Sequence, residues 1–308
     1  MFAEFGEGWL ELAPGLVHVG LPAGRRLEPD EIERIDIAAL SADMWQSGHS
    51  AAFFAVVLKA PNLSWLHMFS AGTDIPVLGE LRAKGVRVTN SAGAAARPIA
   101  HSVIMQVLAL CRGARPWALD QAAKRWQPRH HPDVEGRTMA IIGLGAIGGE
   151  VARIAPAFGI RPIGVRRTPL GDEPCDTWPV SRLHELLPLV DDLVLTAPLN
   201  DDSRGLIGAA ELALLRPGAH VVNVGRGAVI DEAALVAALQ SGQVGGAALD
   251  VFEVEPLPAD SPLWEMDNVI VTPHSSGNTD RAVERVIEIF SDNLGRYAAG
   301  EPLRNEID

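Results

Sequence analysis

The chain has 308 residues, 47% of them hydrophobic and 21% charged, a globular composition at about twice the usual single-domain length, so two domains are expected. A net charge of −13 opposes a phosphate backbone and argues against broad nucleic-acid binding, and apolar runs such as 51–58 fall far short of the ~20 residues of a membrane-spanning helix. The first residues lack the basic start and long apolar core of a secretion signal, and Cys111 and Cys175 have no metal-like spacing, so a soluble, cytoplasmic protein without disulfide or structural zinc is the expectation.

In the first hundred residues, 16–20, 35–40, 66–70 and 86–90 read as strands and 75–84 as a helix, while 51–60 shows no decisive period. Two long helices follow from apolar spacing. Residues 98–112 carry Ile99, Val103, Ile104, Val107, Leu108 and Leu110, and residues 281–297 carry Val283, Val286, Ile287, Phe290 and Leu294. From Thr138 onward, apolar strand runs at 139–142, 162–165, 193–196, 220–224 and 269–271 alternate with helical segments. One of these is 231–240, with Asp231 placed to cap its start and Gly242 just past its end. Continuous apolar strands separated by helices imply a doubly wound parallel α/β sheet of the Rossmann class.

Gly143, Gly145 and Gly148 form a G-x-G-x-x-G turn directly after an apolar strand and at the start of a helical segment. That context suits a dinucleotide pyrophosphate held by backbone N–H groups at a helix N-terminus. The next strand leads to Arg166, Arg167 and Thr168, where an NAD site usually presents an acid, and no acid follows until Asp172. Two guanidiniums and a hydroxyl favour a 2′-phosphate, so NADP(H) is expected over NAD(H).

Three ionisable residues stand after strand-like runs in the C-terminal half: Arg226, Glu255 and His274. Singly they have bland readings, as a surface charge, a loop acid and a helix cap. Together they would gather beyond the carboxyl ends of the sheet, where open α/β folds bind ligands. Their chemistry fits ketone reduction. His274 can act as general acid, Glu255 can fix its tautomer, and Arg226 can bind a carboxylate and polarise the neighbouring carbonyl.

The chain resembles the D-isomer-specific 2-hydroxyacid dehydrogenase family. The likeness runs through 70–74 (Ser-Ala-Gly-Thr-Asp), 143–148, 197–199 (Ala-Pro-Leu), 205–207, 223–231, 248–258 and 272–277. The resemblance implies a flavodoxin-like α/β substrate domain of 1–97 plus 278–308 and a cofactor domain of 98–277, with catalysis in a closing cleft. It implies Arg226, Glu255 and His274 as the catalytic set, with Ala71 and Gly72 offering backbone N–H groups to the substrate carboxylate. Cofactor contacts are implied for Gly143, Leu144, Gly145, Ala146, Ile147 and Gly148, for Ala197, Pro198, Ser203, Val224, Gly225 and Arg226, and for Asp250, His274 and Ser276. Asp250 would hold the nicotinamide carboxamide. The region 114–136, with Trp117 and Trp126, implies a homodimer.

Some positions depart from the family pattern. His101 stands where many relatives carry an acid and reads as a packed helix histidine, with a substrate contact as the alternative. Thr196 replaces a frequent His, Ser275-Ser276 replaces an apolar residue and Gly, and His130-His131 reads as an exposed loop. Glu255 argues against a formate dehydrogenase, which places Gln there. The arginines after the second strand, and the 31 residues beyond Gly277, argue against an NAD-dependent phosphoglycerate dehydrogenase with regulatory domains. The expected activity is reduction of a small 2-keto acid, of the glyoxylate or hydroxypyruvate type. A non-catalytic dinucleotide-sensing protein on the same fold is the alternative from another class. Trp45, Phe69 and Trp264 are candidates for setting pocket size.

Overall fold

The computed structural model describes residues 26–41, 48–72 and 75–307. The expected strand at 16–20 and the candidate Trp45 lie outside them. The chain divides into two compact units, Met1–Ala94 with Asp280–Asp308, and Ala95–Thr279.

Among the described residues, the smaller unit has three parallel strands in the order β1 (Ile37–Leu40), β2 (Trp65–Met68), β3 (Arg87–Asn90). A short α1 (Pro29–Glu33) precedes them, and α2 (Ser50–Val57) and α3 (Pro76–Ala83) are the crossovers. The ambiguous 51–60 is thus largely helix. Its sequence is apolar on nearly every side while only Phe53 and Val57 are buried, so no period could emerge. The C-terminal helix, Ala282–Ala299, belongs to this unit because the Trp65 ring stacks on Phe290 and Tyr297, with centroids 5.2 and 5.4 Å apart.

The larger unit is built on α4 (Ala96–Arg112), α5 (Ala114–Ala122), β4 (Thr138–Ile142), α6 (Ala146–Ile154), β5 (Arg161–Arg166), β6 (Asp176–Pro179), α7 (Leu183–Leu186), β7 (Asp192–Leu195), α8 (Ala209–Leu214), β8 (Ala219–Asn223), α9 (Glu232–Ser241), β9 (Val244–Leu249) and β10 (Val269–Val271). Its seven strands are all parallel, in the order β10-β9-β8-β7-β4-β5-β6.

Alternate residues of β4 explain why the strands read as unbroken apolar runs. Met139 and Ile141 pack with Val103, Val107 and Val151 on the face covered by α4 and α6. Ala140 and Ile142 pack with Leu212, Leu235 and Leu239 on the face covered by α8 and α9. Both faces are therefore dry. The chain winds outward from β4 to β5 and β6, then returns to β7 on the other side. The β4–β7 gap is the point where strand order reverses, the position at which such sheets bind ligands. Among the described residues no helix is long and apolar enough to cross a membrane.

Candidate active site

The glycine turn joins β4 to α6 at this reversal point. Gly143 N donates to Val165 O at 2.8 Å, which ties the turn to the end of β5. A Cβ on Gly148 would lie 2.1 Å from Gly143 O, so only glycine lets the helix approach the turn so closely. Thr196, just past β7, donates its hydroxyl to Gly143 O at 2.6 Å. It is therefore a clamp on the turn, a role that sequence reasoning had not given it. Gly145 and Ala146 are exposed, Leu144 and Ile147 half-buried, and no acid occupies the first turn of α6. Exposed N–H groups at a helix start without a competing carboxylate fit a pyrophosphate.

Beside the turn, β5 ends in Arg166, followed by the exposed Arg167 and Thr168. Arg166 donates to Glu173 at 3.2 Å, and Arg167 pairs with Asp202 across the surface. Across the gap, Ala197 and Pro198 follow β7. The buried Ser203 steadies their loop by donating to Pro198 O at 2.6 Å. Val224 and Gly225 continue from β8, with Val224 N donating to Leu195 O at 3.1 Å.

The three ionisable residues emerge from neighbouring strands. Arg226 ends a turn after β8 that the buried Asn223 shapes: its amide donates to Arg226 O at 3.1 Å and its carbonyl accepts from Gly225 N at 3.1 Å. A Cβ on Gly227 would lie 1.9 Å from the Phe252 backbone, so glycine is needed for this turn to pack on the segment leading to Glu255. Glu255 accepts from Phe252 N through Oε1 at 3.0 Å and from His274 Nδ1 through Oε2 at 2.8 Å. A carboxylate only accepts, so Nδ1 carries the hydrogen and Nε2 is the ring atom left for proton exchange with a substrate.

His274 follows β10 with φ +48°, a left-handed conformation uncommon for a side-chain-bearing residue. Asp250 holds it there. Asp250 O accepts from His274 N at 2.8 Å. Its buried carboxylate accepts from Thr272 Oγ1 (2.6 Å), Ser275 N (3.0 Å), and Ser276 N (3.0 Å) and Oγ (2.5 Å). These four donors fill the carboxylate's acceptor positions. A nicotinamide carboxamide would have to displace one of them to meet the contact that the resemblance implies. The Ser-Ser dipeptide after His274 is thus part of the support of the imidazole.

Other expected residues lie on other elements. Ala71 and Gly72 follow β2 in the smaller unit, where Asn90 Nδ2 donates to Ala71 O at 3.0 Å; Thr73 and Asp74 lie outside the described residues. His101 is exposed on α4, which corrects the expectation of a packed histidine: its position falls on the outward face of a helix whose other face is buried. His131 is half-buried, its ring edge-on to Trp117 at 4.9 Å, whereas His130 is exposed.

Among the described residues one group, Cys111, Asp192 and His220, has ligand-type atoms within 4.8 Å of one another. Arg137 donates twice to the Asp192 carboxylate, at 2.8 Å each, and its guanidinium lies 3.2 Å from His220 Nδ1. A cation therefore already fills that position, and burial pushes the Cys111 thiol up to about 11.

Residues 104–276 match the family model described as D-isomer specific 2-hydroxyacid dehydrogenase, NAD binding domain. A glyoxylate/hydroxypyruvate reductase B of Citrobacter koseri is 33% identical over 91% of this chain and 88% of its own length. A D-3-phosphoglycerate dehydrogenase of Methanocaldococcus jannaschii is also 33% identical, over 82% of this chain and 49% of its own length. A crystal structure of a D-isomer specific 2-hydroxyacid dehydrogenase from Xanthobacter autotrophicus Py2, in complex with NADPH and MES, superposes with a TM-score of 0.81. It is 32% identical and covers 99% of this chain and 94% of that one. The chain belongs to the D-isomer specific 2-hydroxyacid dehydrogenase family and is an oxidoreductase with a nicotinamide-dinucleotide-binding domain.

Proposed function

We propose that this oxidoreductase reduces small 2-keto acids of the glyoxylate and hydroxypyruvate type, with NADPH preferred over NADH. When bound, the cofactor supplies the hydride. His274 Nε2 delivers a proton to the substrate oxygen as negative charge develops on it. Glu255 stabilises the imidazolium through the Nδ1 contact at 2.8 Å, the observation that carries this reading. Arg226 binds the substrate carboxylate and polarises its keto group. In the opposite direction, His274 takes the hydroxyl proton of a D-2-hydroxy acid.

The cofactor preference rests on Arg166 at the end of β5 and on Arg167 and Thr168 directly after it, two guanidiniums and a hydroxyl of the kind that suits a ribose 2′-phosphate. The Xanthobacter relative, bound to NADPH, and the Citrobacter relative's name support the reading of cofactor and substrate class. Exposed Met105, Trp117, Leu119 and Trp126 on and after α4 support a homodimer.

The test is an absorbance assay of cofactor oxidation with glyoxylate, hydroxypyruvate, pyruvate and phenylpyruvate, run with NADPH and with NADH. Faster turnover of glyoxylate or hydroxypyruvate with NADPH is expected. A strong NADH preference would remove the arginine assignment, and turnover confined to phosphorylated 2-hydroxy acids would move the substrate class.

A further inference from the structure

Glu173 is seven residues beyond the last residue of β5, yet its carboxylate returns to the strand end. Its Oε1 accepts from Leu170 N at 2.6 Å and from Arg166 Nη1 at 3.2 Å, and its Oε2 accepts from Gly171 N at 2.8 Å. The Glu173 side chain is only 6% exposed and that of Arg166 30% exposed. The Leu170 and Gly171 N–H groups and the Arg166 guanidinium hold this carboxyl below the usual glutamate range, so it is an anion at neutral pH.

An acid at the end of the second strand of such a sheet would ordinarily serve NAD and repel a 2′-phosphate. Here its oxygens are turned inward and satisfied by two backbone donors and a cation. We propose that Glu173 is a positioning residue for the cofactor's 2′-phosphate: it fixes the Arg166 guanidinium at the end of β5 and shapes the 167–173 loop that frames the phosphate. The proposal rests on the NADPH reading above.

Arg166 uses one of its five N–H groups on Glu173, so the others keep their donor capacity while the long side chain is pinned. Arg167 differs. It pairs with Asp202 where both side chains are more than 70% exposed, a screened contact that exchanges readily for a phosphate oxygen. One guanidinium is set in place beforehand and the other is recruited. Setting the first in place removes part of the ordering cost of binding.

Calorimetric titration of the full chain with 2′,5′-ADP and with 5′-AMP tests this, alongside KM values for NADPH and NADH. Glu173→Ala is expected to weaken 2′,5′-ADP by about fivefold or more and 5′-AMP by less than about twofold, and to raise the NADPH/NADH ratio of KM values without lowering kcat to match. Glu173→Gln keeps an acceptor for one backbone N–H but loses the charge, so it falls between wild type and Glu173→Ala, and it serves if the alanine variant does not fold. Equal weakening of both nucleotides, or tighter 2′,5′-ADP binding, would overturn the proposal. Arg166→Ala separates the two levels. If it abolishes the 2′-phosphate preference while Glu173→Ala and Glu173→Gln retain it, only the positioning role falls. If wild type shows no preference for 2′,5′-ADP over 5′-AMP, the cofactor reading falls and takes the positioning role with it.

Discussion

His274 Nδ1 lies 2.8 Å from Glu255 Oε2, which links the segment after β10 to the segment after β9. The contact fixes a tautomer and places a negative charge where an imidazolium would form. Glu255→Gln keeps an acceptor but removes the charge, and is expected to lower kcat for keto-acid reduction by about 100-fold. The KM for the keto acid should move much less. Steady-state kinetics with hydroxypyruvate check this, and a kcat within about twofold of wild type would mean the carboxylate is not coupled to proton transfer.

Thr196→Val tests the clamp on the glycine turn. Valine keeps the shape but loses the donation to Gly143 O at 2.6 Å. Losing one such hydrogen bond costs about 1 kcal/mol, so cofactor affinity should fall by about fivefold. Fluorescence titration with NADPH reads this directly, and unchanged affinity would show that the turn is held without Thr196.

Arg167 and Asp202 pair at the surface. If the pair competes with a 2′-phosphate, Asp202→Asn should lower the KM for NADPH by about two- to fivefold, in line with the small worth of exposed ion pairs. The KM for NADH should not follow. An unchanged NADPH/NADH ratio would show that Arg167 does not meet the nucleotide.

In the smaller unit, His67 is buried on β2 between Thr89 Oγ1 (2.8 Å) and Ser91 Oγ (3.0 Å). Burial lowers its pKa from 6.5 to about 4. The folded state thus favours the neutral ring, and its stability contribution is complete above pH 6.5. As pH falls from 6.5 toward 4 the unfolded chain binds a proton that the folded chain does not, and up to about 3 kcal/mol is lost. Urea unfolding at about pH 7 and pH 5 should show His67→Gln losing about 2 kcal/mol less than wild type between the two. Parallel losses would show that His67 is not the linked group.

Local signals made much of the larger unit legible. The β4–turn–α6 motif reads from its glycines, and the start of α9 from Asp231, whose side chain accepts from Ala234 N at 2.9 Å. The strands β7 and β8 read from unbroken apolar runs, because both sheet faces are covered. What escaped depends on distant partners. β9 is Val-Gly-Gly-Ala-Ala-Leu, and its small residues carry little strand propensity; it is a strand because β8 and β10 flank it. Glu173 stood in view as one more acid beyond the ribose position, but its return to Arg166 is set by the loop's path. Asp250 likewise shows its part in holding His274 only through donors 22 to 26 residues away.

In the proposed reduction of 2-keto acids, His274 is the proton donor. The most direct test of this proposal is hydroxypyruvate-dependent oxidation of NADPH by wild type and His274→Gln at equal concentration, with NADPH binding measured on both. Turnover by wild type, a loss of about 100- to 10,000-fold in the variant, and NADPH bound by each are expected. Equal rates in the two proteins, or no turnover of any 2-keto acid by an NADPH-bound wild type, would contradict it.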